Sequence, residues 1–407
     1  MNPSNCPRAR PKERSALRVD VGERPIRWLQ PGRASTLASA RRGRARLTNV
    51  AGAPAARGHP RCDWTCALAV DARRGRSLAG ARVAERRRTR LRRILHLFVP
   101  GMVRSQPGAK LAGAPTAANA CAIDRIDGGA PGAILVVAAH PDDETVGIGA
   151  TLGALVSSGW RVRVLHVTDG APRDPALRPT LREATIAGAA SVRCAEVRAA
   201  LRAGGLDPEL ALERSIDIPD QSAARVLAPL ARTLAERLDA SSVDVVVTHP
   251  YEGGHPDHDA VAFAVHAAAA LLGDRAPSLV EMTSYHRANG AIALATFLPL
   301  ASAPRAHLRS GVLDEAARVR RRAMLDAFTS QREVLRVFES VAEPLRCAPC
   351  YDFTRPPHEG VLYYELLPFG WTGEQWRELA RDALCELGVD AATLMRRRGC
   401  SSAPGRG

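Results

Sequence analysis

At 407 residues the chain is long enough for one large domain or two, and its formal charge of +15 would ordinarily direct attention to nucleic acid or an anionic surface. That charge is local: residues 1–100 carry 24 Lys and Arg against 6 Asp and Glu, leaving 33 against 36 for the remainder. A globally basic binding surface is therefore excluded, and neither a signal-peptide pattern nor a run of about 18 apolar residues is present.

The basic segment, residues 1–125, is rich in Arg, Ala, Gly and Pro without sustained periodicity. Such a composition cannot bury enough apolar surface to offset its ordering entropy. It is predicted to be disordered or to lie upstream of the true start, for which Met102 is placed. A nucleic-acid-binding arm is the rival reading, disfavoured because no stacking aromatics interleave the arginines. The nine cysteines are scattered, with Cys347-Ala348-Pro349-Cys350 as a lone CxxC, so no disulfide framework is expected and a reducing cytoplasm is the default.

Regular patterning begins near residue 130. An apolar, β-branched run over 133–139 predicts a first strand, and 144–158 a helix with small and apolar residues on one face. A second strand is expected at 161–167, closing at Thr168-Asp169-Gly170, and a helix at 181–200. A short strand at 215–219, a helix at 223–238, a strand at 243–248, a helix at 259–272 and a strand at 279–285 follow. Strands alternating with helices imply right-handed crossovers. The expected fold is α/β, a Rossmann-like, mostly parallel sheet with helices on both faces. Beyond 300 the pattern predicts a mainly helical C-terminal extension: a long helix at 314–339, an edge strand at 361–365 and a helix at 374–387. The expected division is 126–300 as core, 301–395 as extension of the catalytic domain and 396–407 as a flexible tail.

Chemistry concentrates at two strand ends. The first strand runs into His140-Pro141-Asp142-Asp143-Glu144, where adjacent carboxylates would repel strongly unless a cation lay among them. About 110 residues on, a second strand-like run ends in His249-Pro250-Tyr251-Glu252-Gly253-Gly254-His255-Pro256-Asp257-His258. A catalytic zinc site needs three protein ligands and an open position. Two imidazoles three apart at a helix start could serve as one ligand and one substrate-facing group. His249 could also coordinate or instead shape the loop, and His266 reads as a core-face residue. Gly147, Gly149 and Gly153 lie beyond the strand-to-helix turn, so they suggest close helix packing rather than a dinucleotide site.

These motifs, with Thr168-Asp169-Gly170 between them, resemble the PIG-L (LmbE-like) superfamily of zinc-dependent N-acetylglucosaminyl deacetylases over roughly residues 131–290. The resemblance implies a Rossmann-like fold without a nucleotide. It implies zinc, or another divalent metal, on His140, Asp143 and His258, with Asp142 as general base and His255 stabilising or protonating the transition state. It implies a small-molecule or glycoconjugate substrate carrying an N-acetyl group; from composition, neither nucleic acid nor a membrane span is expected as partner. A metal-dependent amide or ester hydrolase of a non-sugar substrate is the alternative. The chain departs from the family at Gly253, where some members have tyrosine, with Tyr251 two residues earlier as a candidate oxyanion donor. The family's Arg-x-x-Glu is sought here around Arg182-Glu183, making Arg178 and Arg182 candidates for sugar contact. Asp220 is placed either on a sugar hydroxyl or as a helix N-cap. Arg355 and His358, in a C-terminal stretch that also resembles some bacterial members, are candidates for aglycone contact.

Overall fold

The computed structural model describes residues 122–178, 180–182, 184–299 and 308–395. The expectations for the basic segment before residue 122 and for the tail after 395 lie outside the described residues. After a short helix α1 (Ala122–Gly128), strands β1 (Ala133–Ala138), β2 (Arg161–His166), β3 (Val245–Thr248) and β4 (Ser278–Met282) pair in parallel, in the spatial order β2-β1-β3-β4. A small hairpin, β5 (Tyr285–Ala288) and β6 (Ala291–Leu294), leaves the sheet after β4. The sheet is then completed by β7 (Leu308–Arg309) and β8 (Leu345–Cys347), with β8 antiparallel to β4 and to β7.

The crossovers are α2 (Asp143–Ser157), α3 (Ile186–Ala203), α4 (Leu227–Asp239) and α5 (Pro256–Leu272). Alternation along β1 sends Leu135 and Val137 to a core shared with α4 and α5, and Ile134 and Val136 to a core shared with α2 and α3. Both faces being covered explains why β1 and β3 read as continuous apolar runs. The extension adds α6 (Glu315–Asp326) to the α2–α3 face and α7 (Gly373–Leu387) to the other, where Trp376 is fully buried. No helix among the described residues is long and apolar enough to cross a membrane.

The chain visits β2 on one side of β1 and then β3 on the other, so the order reverses between β1 and β3. The carboxyl ends of strands at such a reversal face one crevice, the usual place for a ligand in this architecture. His140–Asp143 and His249–His258 leave those two ends.

Several expected elements differ. The strand at 215–219 does not form: only isolated bridges join Leu212 to Val164 and Ile218 to Thr168, and Asp217 takes a left-handed φ of 58° that breaks extended pairing. The helix expected from 181 begins at Ile186, where the Thr185 hydroxyl accepts the Gly188 N–H. The long helix at 314–339 stops at Asp326, and the expected edge strand at 361–365 is a 3₁₀ turn over Tyr363–Leu366. Cys347 and Cys350 are each disulfide-bonded, against the expectation of none.

Candidate active site

The His140–Asp143 turn is built by its own backbone. Asp142 and Asp143 N–H both donate to the His140 carbonyl, at 2.9 and 3.2 Å, and His140 N–H donates back to Asp143 Oδ2 at 2.7 Å. The turn is braced from β2, where the Thr168 hydroxyl donates to the Ala139 carbonyl at 2.8 Å. Gly170, at φ 58°, lies so close to Pro141 that a Cβ there would stand 2.5 Å from Pro141 Cδ. Asp169 accepts the N–H groups of Ala171 and Asp220, which brings the 220 loop to the crevice. The second turn ends at the start of α5, where His255 Nδ1 accepts the Asp257 N–H at 3.1 Å and Pro256 occupies the first helical position. Asp259 ties the preceding loop down by accepting the Glu252 and Gly253 N–H groups.

Four imidazoles and four carboxylates meet here, all buried: His140, His249, His255 and His258 with Asp142, Asp143, Asp220 and Asp257. Asp143 bridges two of the histidines through different oxygens, Oδ2 at 3.1 Å from His140 Nδ1 and Oδ1 at 3.2 Å from His258 Nε2. Ligands held tetrahedrally at zinc distances are about 3.3 Å apart, so these separations suit a shared ion. Three overlapping groups have donor atoms within 4.8 Å of one another: His140, His255 and His258; Asp143, His249 and His258; His140, Asp220 and Asp257.

The protonation chemistry also fits a cation. Burial would lower His140, but Asp220 and Asp143 outweigh it and hold the imidazole well above its ordinary value. Burial would raise Asp143, but His258, His249 and His140 hold it well below the usual carboxylate range. Both shifts mark a pocket whose carboxylates favour positive charge among them. Burial pushes His255 down to about 3 and His258 down to about 4, leaving neutral imidazoles able to coordinate or donate.

The hydrogen bonds sort the histidines. His249 Nε2 accepts the Ala139 N–H at 3.0 Å, so its lone pair is committed to the end of β1 and it shapes the loop. It stacks on His258 with 4.1 Å between ring centres. His255 spends Nδ1 on the Asp257 N–H, so its proton sits on Nε2. His140 Nε2 lies 3.3 Å from both Asp220 and Asp257, the carboxylate backing that orients a ligating imidazole. His266 is buried in the core 4.0 Å from Glu281.

Within this cluster Asp142 is tied to an arginine rather than to a histidine. Its Oδ2 accepts from Arg193 at 2.9 Å, and burial pushes its carboxyl up to about 6 against the pull of that guanidinium. Arg193 is the cleft residue that sequence reading missed. The Arg-x-x-Glu spacing occurs at Arg193-Cys194-Ala195-Glu196 on α3, and Glu196 accepts from Thr329 and Ser330 of the extension. Arg178 instead donates to the Ala184 carbonyl, Arg182 is exposed, and neither lines the cleft. Tyr251 is also displaced from its expected role: its hydroxyl donates to the Arg355 carbonyl inside an aromatic cluster with Phe353 and Trp376. Asp220 lines the cleft, and the N-cap position of the following turn is occupied by Ser222, not Asp220. Arg355 pairs with Asp352 and His358 meets the Glu359 carbonyl, both away from the cleft.

The extension holds helix α2 from behind. Helix α2 breaks at Ile148 (φ −146°, ψ 24°), orphaning carbonyls before the break and N–H groups after it. Arg321 donates to the Val146 carbonyl at 2.7 Å, and Glu343 accepts the Ala150 and Thr151 N–H groups at 2.8 Å each. Arg321 Nε and Glu343 Oε1 are 3.1 Å apart, and Arg321 also donates to the Phe338 carbonyl on the cleft wall.

Residues 135–269 match the family model of GlcNAc-PI de-N-acetylase, PIG-L. Among solved structures, the chain is similar to an antimicrobial-reagent pseudoaglycone deacetylase, at 26% identity and a TM-score of 0.37, covering 50% of this chain and 84% of that one. It is also similar to the zinc-inhibited form of a teicoplanin deacetylase, at 18% identity and a TM-score of 0.39, covering 53% and 97%. A conserved protein from Thermus thermophilus is 24% identical with a TM-score of 0.39, covering 56% and 99%. Curated proteins give no match. The match to the PIG-L family model, over residues 135–269, contains both strand-end motifs.

Proposed function

We propose that the protein is a metal-dependent N-deacetylase, with zinc as the working ion, acting on an N-acetylglucosaminyl-containing metabolite or glycoconjugate. The observation that carries this reading is the division of labour among the carboxylates. Asp143 sits between two histidines, whereas its neighbour Asp142 is tied to Arg193. A hydrolase needs both kinds: ligands for the ion, and a base beside them that is not consumed by coordination.

In this reading His140, Asp143 and His258 hold the ion, with Ser284 beside His258 Nδ1 at 3.4 Å as its outer support. An ion held there would supply positive charge for the developing oxyanion and would lower the pKa of water towards about 7. Asp142 accepts the proton of the attacking water, and with its carboxyl pushed up to about 6 it is ionised yet still basic at neutral pH. His255, neutral and protonated on Nε2, donates to the oxygen that gains charge as the carbonyl becomes tetrahedral. Asp142 then returns the proton to the departing amine, giving acetate and a free amino sugar. Asp220 lines the cleft, with Oδ1 3.3 Å from His140 Nε2, and is placed to meet a substrate hydroxyl. Residues 126–300 form the catalytic core, and 301–395 act as part of the same domain.

The test is acetate release from a panel of N-acetylglucosaminides by the full chain. Release abolished by a chelator and restored by zinc is expected. A tightly bound zinc without acetate release from any sugar would favour an amide or ester hydrolase of another substrate class.

A further inference from the structure

Beyond the carboxyl end of β4 the chain enters the cleft through Ser284 and Tyr285, which belong to neither strand-end motif. Tyr285 opens β5, where it pairs with Leu294, and its ring is held by three others. It lies edge-on to His258 with 5.4 Å between ring centres, edge-on to Tyr363 at 5.7 Å and tilted on Phe338 at 5.8 Å. Its carbonyl abuts Gly254, so closely that a Cβ on that glycine would run into it. The ring is thus fixed both to a histidine of the metal-ligating cluster and to the loop that carries His255. Its phenol lies where crevice carboxylates act on it: burial raises it well above its ordinary value, and Asp143, Tyr363, Asp142 and Asp220 add to that. A neutral phenol at this place is an O–H donor. The other donors nearby are mostly committed. Ser284 faces His258 Nδ1 at 3.4 Å, Gln331 donates to the Ser330 hydroxyl at 3.2 Å, and Arg193 donates to Asp142. The His255 loop offers no hydroxyl, since Gly253 and Gly254 have no side chain and Tyr251 donates to the Arg355 carbonyl. Of Gln221 and Tyr285, which remain on the cleft wall, Tyr285 is the one packed on His258.

We propose that Tyr285 is a further catalytic residue, whose phenol donates a hydrogen bond to the carbonyl oxygen of the scissile amide as that oxygen takes up charge, alongside His255. The inference rests on the amide-hydrolysing reading above. As water adds to the carbonyl carbon and gives its proton to Asp142, the C=O electron pair moves onto oxygen, which then accepts from both donors. The same pair returns to re-form the carbonyl as the amine leaves. The phenol keeps its proton throughout, so no bond within Tyr285 is made or broken. A donor already held in place by three rings reorganises little during the reaction, and that preorganisation is what makes such a group effective. Removing one oxyanion donor typically costs about 10²–10³ in kcat.

The experiment compares the wild type with Tyr285→Phe, which keeps the ring and its packing, as zinc-loaded full chains on the panel of N-acetylglucosaminides. In the variant kcat should fall about 10²-fold, with KM changed by less than about threefold and zinc content unchanged. Calorimetric binding of methylphosphonate, a tetrahedral mimic of the acetyl group under attack, should weaken about tenfold in the variant. An undiminished kcat or a rise confined to KM would overturn the assignment, and so would loss of zinc from the variant. Equal methylphosphonate affinity in the two proteins would also refute it, whatever the glycosides do. If the wild type releases acetate from no glycoside, the deacetylase reading fails, and methylphosphonate decides Tyr285 on its own: weaker binding by the variant supports the donor.

Discussion

Replacing Arg193 by Met should change the pH dependence of the reaction more than its maximum. The guanidinium sits 2.9 Å from Asp142 Oδ2, both groups are buried, and its charge is the main influence holding that carboxyl down. Opposite charges about 4 Å apart at an effective dielectric near 20 interact by about 4 kcal/mol, which is about three pKa units. Screening by the open cleft and a bound ion reduces this to about one to two units. The base works deprotonated, so activity is lost as pH falls through the Asp142 pKa and recovered above it. In the wild type the acid limb of kcat/KM should lie at about 6 or below, since a bound ion lowers the carboxyl further. In Arg193→Met it should move up by about one to two units, with a severalfold loss at pH 7 and near-recovery at pH 9. The assay is acetate release across pH 5–9 at limiting substrate. A variant that loses activity equally at every pH, with the acid limb unmoved, would refute the claim that Arg193 tunes the base.

Glu343→Ala removes the partner of buried Arg321 and orphans two N–H groups at the α2 break, so denaturant unfolding should show a loss of about 3–5 kcal/mol, and Glu343→Gln distinctly less. A Gly254→Ala side chain would run into the Tyr285 carbonyl, a backbone atom, and must displace the loop that carries His255. Acetate release should fall about tenfold or more while helix content stays unchanged by circular dichroism. His258→Asn should lose the metal on dialysis, whereas His249→Asn should retain one equivalent by metal analysis, because His249 spends its lone pair on Ala139. Equal metal loss in both would place His249 among the ligands.

Much of this site was legible because its chemistry is local in the chain. Strands buried on both faces read as continuous apolar runs, and both ligand-bearing turns follow such runs directly. Arg193 was missed although its Arg-x-x-Glu spacing is plain, because a charged pair on a helix reads equally well as a solvated face. Only the approach of Ser330 to Glu196 shows which side is buried. Tyr251 misled in the opposite way: nearness to the motif put it at the site, while packing with Phe353 and Trp376, over 100 residues away, took it into the core. Asp257 was passed over between two histidines, yet it accepts the Gln221 and Ala223 N–H groups and backs His140.

The most direct test of the central claim is acetate release by wild type and by Asp142→Asn, each assayed with its zinc content measured in the same sample. The account predicts one bound zinc in both proteins, with release by the wild type and a loss of about 10² or more in the variant. Loss of zinc from Asp142→Asn would make Asp142 a ligand rather than the base, and undiminished release with zinc bound would contradict the account outright.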